Sequence, residues 1–342
     1  MTVPKPNSIA AARPLFPEED MPELLEQIAQ VLRGGRLILG PRTRELEAEW
    51  ARRVGTKHAI ALTSCTAALE IALRWARVKG REAVVPTNTF VATANAVGFA
   101  GGRVVFCDMN GDDYCVDVDD AMRRVTADTA ALVVVHVAGF VPGRLGELVD
   151  FCRARRIVLV EDCAHAHGAD WNGSRPGSFG DAGVYSLYAT KTVSSGEGGV
   201  LVSGNEELLE YTRKFRNYGK FDHQVDGLNF RMNEFTAALA LVQAERMQEI
   251  VDWKNEYARE HLDPVYPARL GLPDGMTSGL YKYIVFEEIE KSTGKVYDQP
   301  CHRIMGRSDE LPNTDWVAEN HWCVPLYYRP ESRAAALAGE EE

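Results

Sequence analysis

A lysine and two adjacent carboxylates stand out between residues 157 and 203 as side chains that could do chemistry. Glu161 and Asp162 end the apolar run IVLV, and Lys191 follows the apolar run VYSLY and precedes TVSSGEGG. A lysine in a small-residue loop beside a sheet edge can be partly desolvated, which lowers the pKa of its ammonium and makes a nucleophilic amine. A carboxylate at a strand end can pair with a cationic ring nitrogen. A Schiff-base lysine together with such an acid is the pair that pyridoxal phosphate requires.

The same residues have structural explanations that their spacing alone does not exclude. A lysine after an apolar run is also typical of a solvated loop, and Glu-Asp after a strand is also typical of a helix cap or a turn. Which explanation holds depends on whether the surrounding elements bring Lys191 and Asp162 to one edge of a sheet.

From residue 20 to about residue 245, short apolar runs alternate with longer amphipathic ones. Five of the short runs are rich in continuous Val, Ile and Leu: HAIALTS, EAVVPT, RVVFCDM, ALVVVHVAG and IVLVED. Such runs are typical of strands buried on both faces. The stretches between several of them space apolar residues three and four apart, as helices do. This alternation predicts an α/β fold with a mainly parallel sheet, and open folds of this kind bind ligands at the carboxyl edge of the sheet.

After about residue 245 the pattern changes. MQEIVDWKNEYAREHL predicts one long helix, prolines follow it at positions 264, 267 and 273, and YKYIVFEEIE alternates as a strand does. The tail ESRAAALAGEEE is small and acidic, and we expect it to be frayed. We therefore expect a large domain over residues 1–248 and a smaller one over residues 249–342.

The composition is that of an ordinary globular protein and excludes several functional classes. The 342 residues are 45% hydrophobic and 25% charged, which excludes fibrous and disordered proteins. With 38 basic and 49 acidic residues the net charge is −11, so we expect no nucleic-acid partner. We find no signal-peptide pattern and no apolar window of about 18 residues, so we expect no membrane partner. Seven cysteines without a CxxC pair indicate a reduced, cytoplasmic protein.

The stretch EDCAHAHGADWNGSRPGSFGDAGVYSLYATKTVSSGEGGVLV resembles the signature block of the DegT/DnrJ/EryC1/StrS aminotransferases. Four further stretches agree in order and spacing: ALTSCTAALEIAL, VVPTNTFVATANAV, RNYG and GLNFRMNEFTAALALVQAERM. The resemblance spans roughly residues 20–250. It implies a fold-type I pyridoxal-phosphate enzyme, with a large, mainly parallel sheet domain sandwiched by helices and a small α+β domain. Many members of this family aminate keto sugars attached to nucleotides.

The resemblance also implies roles for individual residues. Lys191 would hold pyridoxal 5'-phosphate as a covalent Schiff base, and Asp162 would keep the pyridine nitrogen protonated. Cys65 and Thr66 correspond to a small residue and a threonine that bind the cofactor phosphate at a helix start, where free N–H groups face an anion. Ser186, five residues before the lysine, corresponds to a serine that binds the same phosphate.

Phe90, His165 and Asn229 correspond to three further cofactor-binding positions. Phe90 stands where the family places an aromatic that stacks on the cofactor, and His165 where most members have a glutamine contacting its phenolic oxygen. Asn229 resembles a residue that reaches the partner's cofactor across a dimer interface, so the resemblance implies a homodimer with its active site at that interface. Structural explanations stay open: Phe90 as core, Ser186 as a strand residue and Asn229 as a turn.

Three features depart from the family pattern. The family usually has glycine where Cys65 stands, and nothing else marks this cysteine as a nucleophile. Histidine at position 165 also occurs in relatives that aminate cyclic ketones other than nucleotide sugars, although an imidazole can still donate a hydrogen bond there. The C-terminal segment HRIMGRSDELPNTDWVAENHWCVPLYYRP resembles the family's closing segment, but the small domain around it is abridged.

The resemblance implies an aminotransferase that moves an amino group from glutamate or glutamine to a nucleotide-linked 4-keto or 3-keto deoxysugar. Two alternatives stay open: an aminotransferase for a cyclitol or another cyclic ketone in secondary metabolism, and a non-catalytic regulatory or binding protein on the same scaffold. The Lys191–Asp162 pair argues against the second. A zinc site could be drawn from Cys163, His165 and His167, or from residues 301–302 with 321–323. The first set alternates along one segment and would not converge on one ion without a fourth ligand. The second set lacks a recognised spacing, so we expect no metal.

Overall fold

Strands form one large sheet and two small ones in residues 9–329, the part of the chain that the computed structural model describes. The predicted frayed tail, residues 331–342, lies outside the described residues. In chain order the strands are His58–Leu62 (β1), Glu82–Pro86 (β2), Arg103–Cys107 (β3), Thr129–Val135 (β4), Val158–Asp162 (β5), Asp170–Trp171 (β6), Ala182–Ser186 (β7), Gly199–Ser203 (β8), Met276–Thr277 (β9), Tyr283–Val285 (β10) and Trp322–Val324 (β11).

The large sheet has the order β1-β8-β7-β5-β4-β2-β3 and is mainly parallel, as predicted. β2 pairs in parallel with β3 and β4, β4 with β5, and β5 with β7. β8 is antiparallel to both of its neighbours, β7 and β1. The antiparallel edge was not predicted, because a strand buried on both faces has the same apolar character whichever way it runs.

Helices cover both faces of this sheet. Their bounds are Met21–Gly34 (α1), Pro41–Val54 (α2), Cys65–Trp75 (α3), Val91–Phe99 (α4), Val118–Arg123 (α5), Leu145–Arg155 (α6), Glu206–Phe215 (α7), Glu234–Glu245 (α8), Met247–Tyr257 (α9), Cys301–Ile304 (α10) and Pro312–Glu319 (α11). Gly35 and Gly55 follow α1 and α2 with left-handed φ values of 68° and 79°, which glycine adopts without strain. No helix among the described residues is long and apolar enough to cross a membrane.

At β1 the two faces of the sheet pack in different hydrophobic cores, whereas consecutive residues of β4 all pack in the first of these cores. Ile60 and Leu62 of β1 pack in one core and Ala59 and Ala61 in the other, because successive side chains of a strand point to opposite faces. The first core contains most of α3 and the second contains the buried residues of α2 and several of α8. A sheet covered in this way exposes its carboxyl edge rather than its faces to a ligand.

The C-terminal part is built from short elements. The predicted long helix is α9, which continues as one π-helical turn over Ala258–Leu262. The strand expected over YKYIVFEEIE is only three residues long, because β10 pairs along Tyr283–Val285 with the equally short β11. A second two-residue pair, β6 with β9, joins residues 170–171 to residues 276–277. The domain boundary between residues 248 and 249 stays a prediction.

Candidate active site

A cavity of about 610 Å³ lies at the carboxyl ends of β5 and β7, beside the start of α3. It is lined by seven of the eight site residues that the sequence predicts, which we call the sheet-side wall: Cys65, Thr66, Phe90, Asp162, His165, Ser186 and Lys191. Five residues from the C-terminal part face the same cavity. One is Val296, and we call the four polar ones the C-terminal wall: Tyr281, Lys282, Lys295 and Tyr297. The fold therefore brings Lys191 and Asp162 to one edge of one sheet.

Asp162 is fixed at the end of β5 by two hydrogen bonds. Thr93 Oγ1 donates to Asp162 Oδ2 at 2.9 Å, and the backbone N–H of Ala164 donates to Oδ1 at 3.1 Å. Burial raises the pKa of the Asp162 carboxyl, although these hydrogen bonds and the charge of Lys191 act against it. A cation placed beside a buried carboxylate favours its ionised form, so the position suits a cationic ring nitrogen. Sequence reasoning missed Thr93, which acts only through this tertiary contact.

Glu161, the other acid of the pair, has a structural role. Its side chain is fully buried and accepts hydrogen bonds from the backbone N–H groups of Gly177, Phe179 and Gly180 at 2.7–2.8 Å. His136 Nε2 lies 2.9 Å from its Oε2. Neighbouring strand residues point to opposite faces, so one acid ties down the loop before β7 while the next faces the cavity.

The start of α3 offers backbone N–H groups to an anion. Ser64 caps the helix by accepting from the N–H of Ala67 at 3.1 Å, whereas the N–H groups of Cys65 and Thr66 have no hydrogen-bond partner among the described residues. Gly199 lets β8 pass close by, because a Cβ there would lie 2.4 Å from the backbone nitrogen of Cys65. Ser186, at the end of β7, lines the same cavity. These groups suit a phosphate.

Lys191 lies in a turn after β7 and faces Tyr281. Its N–H donates to the carbonyl of Tyr188 at 2.9 Å, and its Nζ lies 4.3 Å from the centroid of the Tyr281 ring. The Tyr281 hydroxyl is 3.0 Å from Thr190 Oγ1. Burial alone would raise the pKa of the Tyr281 phenol, but the Lys191 ammonium, Thr190 and Lys282 together lower that pKa below its ordinary value.

His165 is a neutral, stacked imidazole. Its ring lies 4.1 Å from that of Tyr281 and 6.0 Å from that of Tyr297, at interplanar angles of 21° and 20°. Burial lowers the pKa of His165 well below its ordinary value, and Lys191 adds to the effect. Its Nδ1 accepts from the N–H of Ala138 at 3.3 Å, which leaves the proton on Nε2. The ring can therefore donate the hydrogen bond expected at this position.

The C-terminal wall was missed by sequence reasoning. YKYIVF alternates aromatic, charged and apolar residues and was interpreted as a strand, although Tyr281 and Lys282 precede β10 and line the cavity. Lys295 and Tyr297 fall in the short connection before α10. A lysine within an otherwise apolar alternation was the available signal, but it does not by itself tell which side chains meet a distant sheet edge.

Asn229 is the predicted site residue that does not line this cavity. It is exposed, and its Oδ1 accepts from Arg231 Nε at 2.9 Å. Its predicted reach to a partner's cofactor stays a prediction.

The metal sets considered from the sequence do not include the group that the fold assembles. Among the described residues, His136, Glu161 and Cys163 place possible ligand atoms within 4.8 Å of one another. The carboxylate of Glu161 already receives three backbone N–H groups and His136. These contacts give the group a structural explanation.

The residues of the sheet-side wall fit pyridoxal phosphate. The buried acid, the lysine and the unpaired N–H groups of α3 complement a ring nitrogen, an aldehyde and a phosphate, respectively. The cavity volume also lies in the range of about 300–1,000 Å³ that is usual for small-molecule sites.

A family model described as the DegT/DnrJ/EryC1/StrS aminotransferase family matches residues 18–264. The chain is 33% identical over 344 residues to dTDP-4-dehydro-2,3,6-trideoxy-D-glucose 4-aminotransferase of Saccharopolyspora spinosa, with 89% of each chain covered. It is 34% identical over 249 residues to a protein of Streptoalloteichus tenebrarius provisionally named L-glutamine:3-amino-2,3-dideoxy-scyllo-inosose aminotransferase, with 69% of this chain and 59% of the relative covered.

Among solved structures, the crystal structure of the aminotransferase TlmJ from Streptoalloteichus hindustanus is similar to this chain with a TM-score of 0.86 and 28% sequence identity. The match covers 97% of this chain and 98% of that one. The structural similarity therefore extends well beyond residue 264, where the family-model match ends.

Proposed function

Because the chain belongs to the DegT/DnrJ/EryC1/StrS aminotransferase family, whose members depend on pyridoxal phosphate, we propose that it transfers an amino group from glutamate or glutamine to a nucleotide-linked keto sugar. The observation that carries the proposal is the cavity in which Lys191, Asp162 and the unpaired N–H groups of α3 converge. The relative from Saccharopolyspora spinosa is named for a dTDP-linked keto sugar, which supports a nucleotide-linked acceptor.

The sheet-side wall would hold the cofactor by four kinds of contact. Lys191 Nζ would bind it covalently, Asp162 would face the ring nitrogen, and Phe90 would cover one ring face. His165 would donate from Nε2 to the phenolic oxygen, since its Nδ1 is already an acceptor. The phosphate would lie at the start of α3 with Ser186.

Each of these residues then has a chemical task. When bound, pyridoxal phosphate supplies a carbonyl for the amino group and an electron-withdrawing ring. Asp162 keeps the ring nitrogen protonated because its carboxylate is held in place by Thr93 and Ala164. Lys191 would act as general base and general acid, holding at Nζ the proton that moves to and from the substrate carbon. Tyr281 covers this amine at 4.3 Å and limits its contact with water.

We propose a homodimer in which Asn229 reaches the partner's site. Exposed apolar side chains near Asn229 support an interface there: Tyr218, Phe221 and Leu228 are 47%, 91% and 44% exposed. Sedimentation of the cofactor-loaded protein should give twice the monomer mass. We also propose the division into domains 1–248 and 249–342, and a cytoplasmic location, which the seven unpaired, buried cysteines support.

A second acceptor class, cyclitols and related cyclic ketones, is favoured by His165. Histidine at this position occurs in relatives that aminate such ketones, and the relative from Streptoalloteichus tenebrarius is named for a scyllo-inosose derivative. In the cavity, the His165 ring stacks on the rings of Tyr281 and Tyr297. These aromatic contacts are compatible with a sugar ring and with a cyclitol ring.

The test is an absorption spectrum of the purified protein before and after glutamate or glutamine. A visible band that disappears with the donor, and returns with a dTDP-linked keto sugar, is the result we expect. Return of the band with scyllo-inosose, but not with the dTDP-linked keto sugar, would show that the acceptor is a cyclitol ketone. A visible band that does not change with any amino acid would show that the proposed amino donor is wrong. If no band appears after reconstitution with pyridoxal phosphate, the proposed enzymatic function is wrong. The alternative of a non-catalytic protein on the same scaffold then remains.

A further inference from the structure

Two buried lysines next to the active site have no acidic partner in the part of the chain that the structure describes. Lys254 and Lys282 are each 8% exposed. Lys254 Nζ donates to the carbonyl of Leu280 at 3.2 Å, and Lys282 Nζ donates to the carbonyl of Ala11 at 2.5 Å. Neither forms an ion pair with a carboxylate in residues 9–329. A fold that buries two ammonium groups without counter-charges leaves an excess of positive potential at this place.

Burial and the nearby positive charge affect the pKa of one of the two lysines. Burial lowers the pKa of Lys254 to about 8, and the nearby charge of Lys282 adds to that effect. Removing a charge from water costs free energy unless an opposite charge or hydrogen bonds offset it. An anion bound beside Lys282 would offset this cost, whereas backbone carbonyls do so only in part.

Lys282 is the member of the pair that faces the cavity. It belongs to the C-terminal wall and comes from a different part of the chain than the α3 N–H groups and Ser186 that suit the cofactor phosphate. Lys191 Nζ lies 4.3 Å and Lys282 Nζ lies 5.7 Å from the centroid of the Tyr281 ring, so the two ammonium groups are at most about 10 Å apart. An acidic group a few bonds from the reacting carbon can span that separation.

The ammonium of Lys282 has donors to spare. It carries three N–H groups, and the Ala11 carbonyl is its one hydrogen-bond acceptor among the described residues. Ala11 also lines the cavity, and the neighbouring carbonyl of Ala10 accepts from Tyr327. The segment around Ala11 is thus held at the edge of the cavity by the same lysine that faces it.

We propose that Lys282, supported by the charge of Lys254, is an anion subsite for the substrate, distinct from the cofactor phosphate site. Its ligand is an oxyanion of the substrate: the carboxylate of the amino donor or the diphosphate of the nucleotide-linked acceptor. The inference rests on the proposed function and adds to it the residue that recognises the substrate's negative charge. Lys282 acts by binding and takes no part in proton transfer.

The test compares Lys282→Met and Lys282→Arg in the cofactor-loaded enzyme, with Lys57→Met as the control. Met keeps most of the side-chain volume and removes the charge, whereas Arg keeps the charge. Lys57 forms a surface ion pair with Glu206 and lies outside the cavity. Two readouts separate the two sources: the glutamate concentration that half-saturates the spectral change, and the affinity for dTDP by calorimetry. Thermal unfolding of each variant reports on folding.

We expect Lys282→Met to weaken one of these two affinities by about 10- to 100-fold, as loss of a charge-assisted hydrogen bond does, and Lys282→Arg to restore most of it. Weakening for glutamate alone assigns the donor carboxylate, and weakening for dTDP alone assigns the acceptor diphosphate. If both affinities match wild type while only the melting temperature changes, Lys282 merely anchors Ala11 and the proposal is wrong. Failure of the proposed function would show instead in the wild-type enzyme, as no response to any donor.

Discussion

The two walls of the cavity are built in different ways. On the sheet-side wall, Asp162 and Ser186 end strands of a buried seven-stranded sheet, and α3 starts directly after β1. On the C-terminal wall, Tyr281 and Lys282 precede a three-residue strand, and the other two residues lie in a connection without regular structure. One wall is fixed by ladders of backbone hydrogen bonds, and the other by individual side-chain contacts.

This difference separates two tasks. Groups that must meet a cofactor in one geometry are best placed at the ends of rigid elements, whereas loops change more easily between relatives and carry specificity. The sheet-side wall accordingly holds the groups that any pyridoxal-phosphate transaminase needs. The C-terminal wall adds two lysines and two tyrosines, and we propose that these residues face the substrate.

The strongest test of the sheet-side wall is Lys191→Ala. We expect turnover to fall by about 10³-fold or more, because the covalent link and the proton carrier are both removed. The contacts of the ring nitrogen and phosphate remain, so the variant should still bind cofactor without the covalent link, measured as cofactor released on denaturation. Lys57→Ala should keep full activity. Turnover close to wild type in Lys191→Ala would mean that the catalytic lysine lies elsewhere.

Asp162→Asn should have the next largest effect, about a 100-fold loss of turnover, because a buried charge facing a cationic ring nitrogen is removed. Cofactor affinity should fall with it, measured by fluorescence titration of the cofactor-free protein. Asp181→Asn is the matched control. Asp181 accepts from the N–H of Leu159 at 2.8 Å, before β7 and away from the cavity. If the two variants lost activity equally, the effect of Asp162 would be one of folding rather than of chemistry.

The contrast between the walls also explains how much the sequence predicts. The apolar runs that form β2, β3, β4 and β5 predict a parallel sheet, because consecutive apolar residues indicate a strand that is buried on both faces. The acid at the end of β5 and the lysine after β7 follow from that pattern and their chemistry. The remaining positions of the sheet-side wall follow from family motifs, which are local stretches of sequence.

What the sequence does not predict depends on contacts between distant residues. The antiparallel placement of β1 against β8 is such a contact, and so is the hydrogen bond of Thr93 to Asp162. The sequence predicts Tyr281 and Lys282 to be part of a strand, because the alternation of residue types indicates only local exposure. Their position beside Lys191 is set by the packing of the C-terminal part, which a lysine within an apolar alternation does not by itself indicate.

Tyr281→Phe tests whether the C-terminal wall affects the chemistry of Lys191. We expect a two- to tenfold fall in turnover, from loss of one hydrogen bond to Thr190 while the ring contact with the amine remains. Because Lys191 and its neighbours lower the pKa of this phenol, a tyrosine that ionises below the ordinary range should be visible by ultraviolet difference titration of the cofactor-free protein. It should be missing from the variant. An unchanged titration would show that the phenol is not in contact with the lysine.

Cys65→Ser should have the smallest effect, because we propose that the phosphate is bound at this position by the backbone rather than by the side chain. The N–H of residue 65 has no hydrogen-bond partner among the described residues, and either side chain leaves it free. Burial, and next the charge of Asp162, raise the pKa of the Cys65 thiol well above its ordinary value, so it stays protonated near neutral pH and should alkylate slowly with iodoacetamide. We expect turnover within about threefold of wild type, since one weak hydrogen-bond difference is worth no more. Cys107→Ser, at the fully buried end of β3, controls for the cost of placing a hydroxyl in the core. A tenfold loss in Cys65→Ser alone, with cofactor still bound, would show that the thiol itself takes part in catalysis and that the wall does more than bind phosphate there.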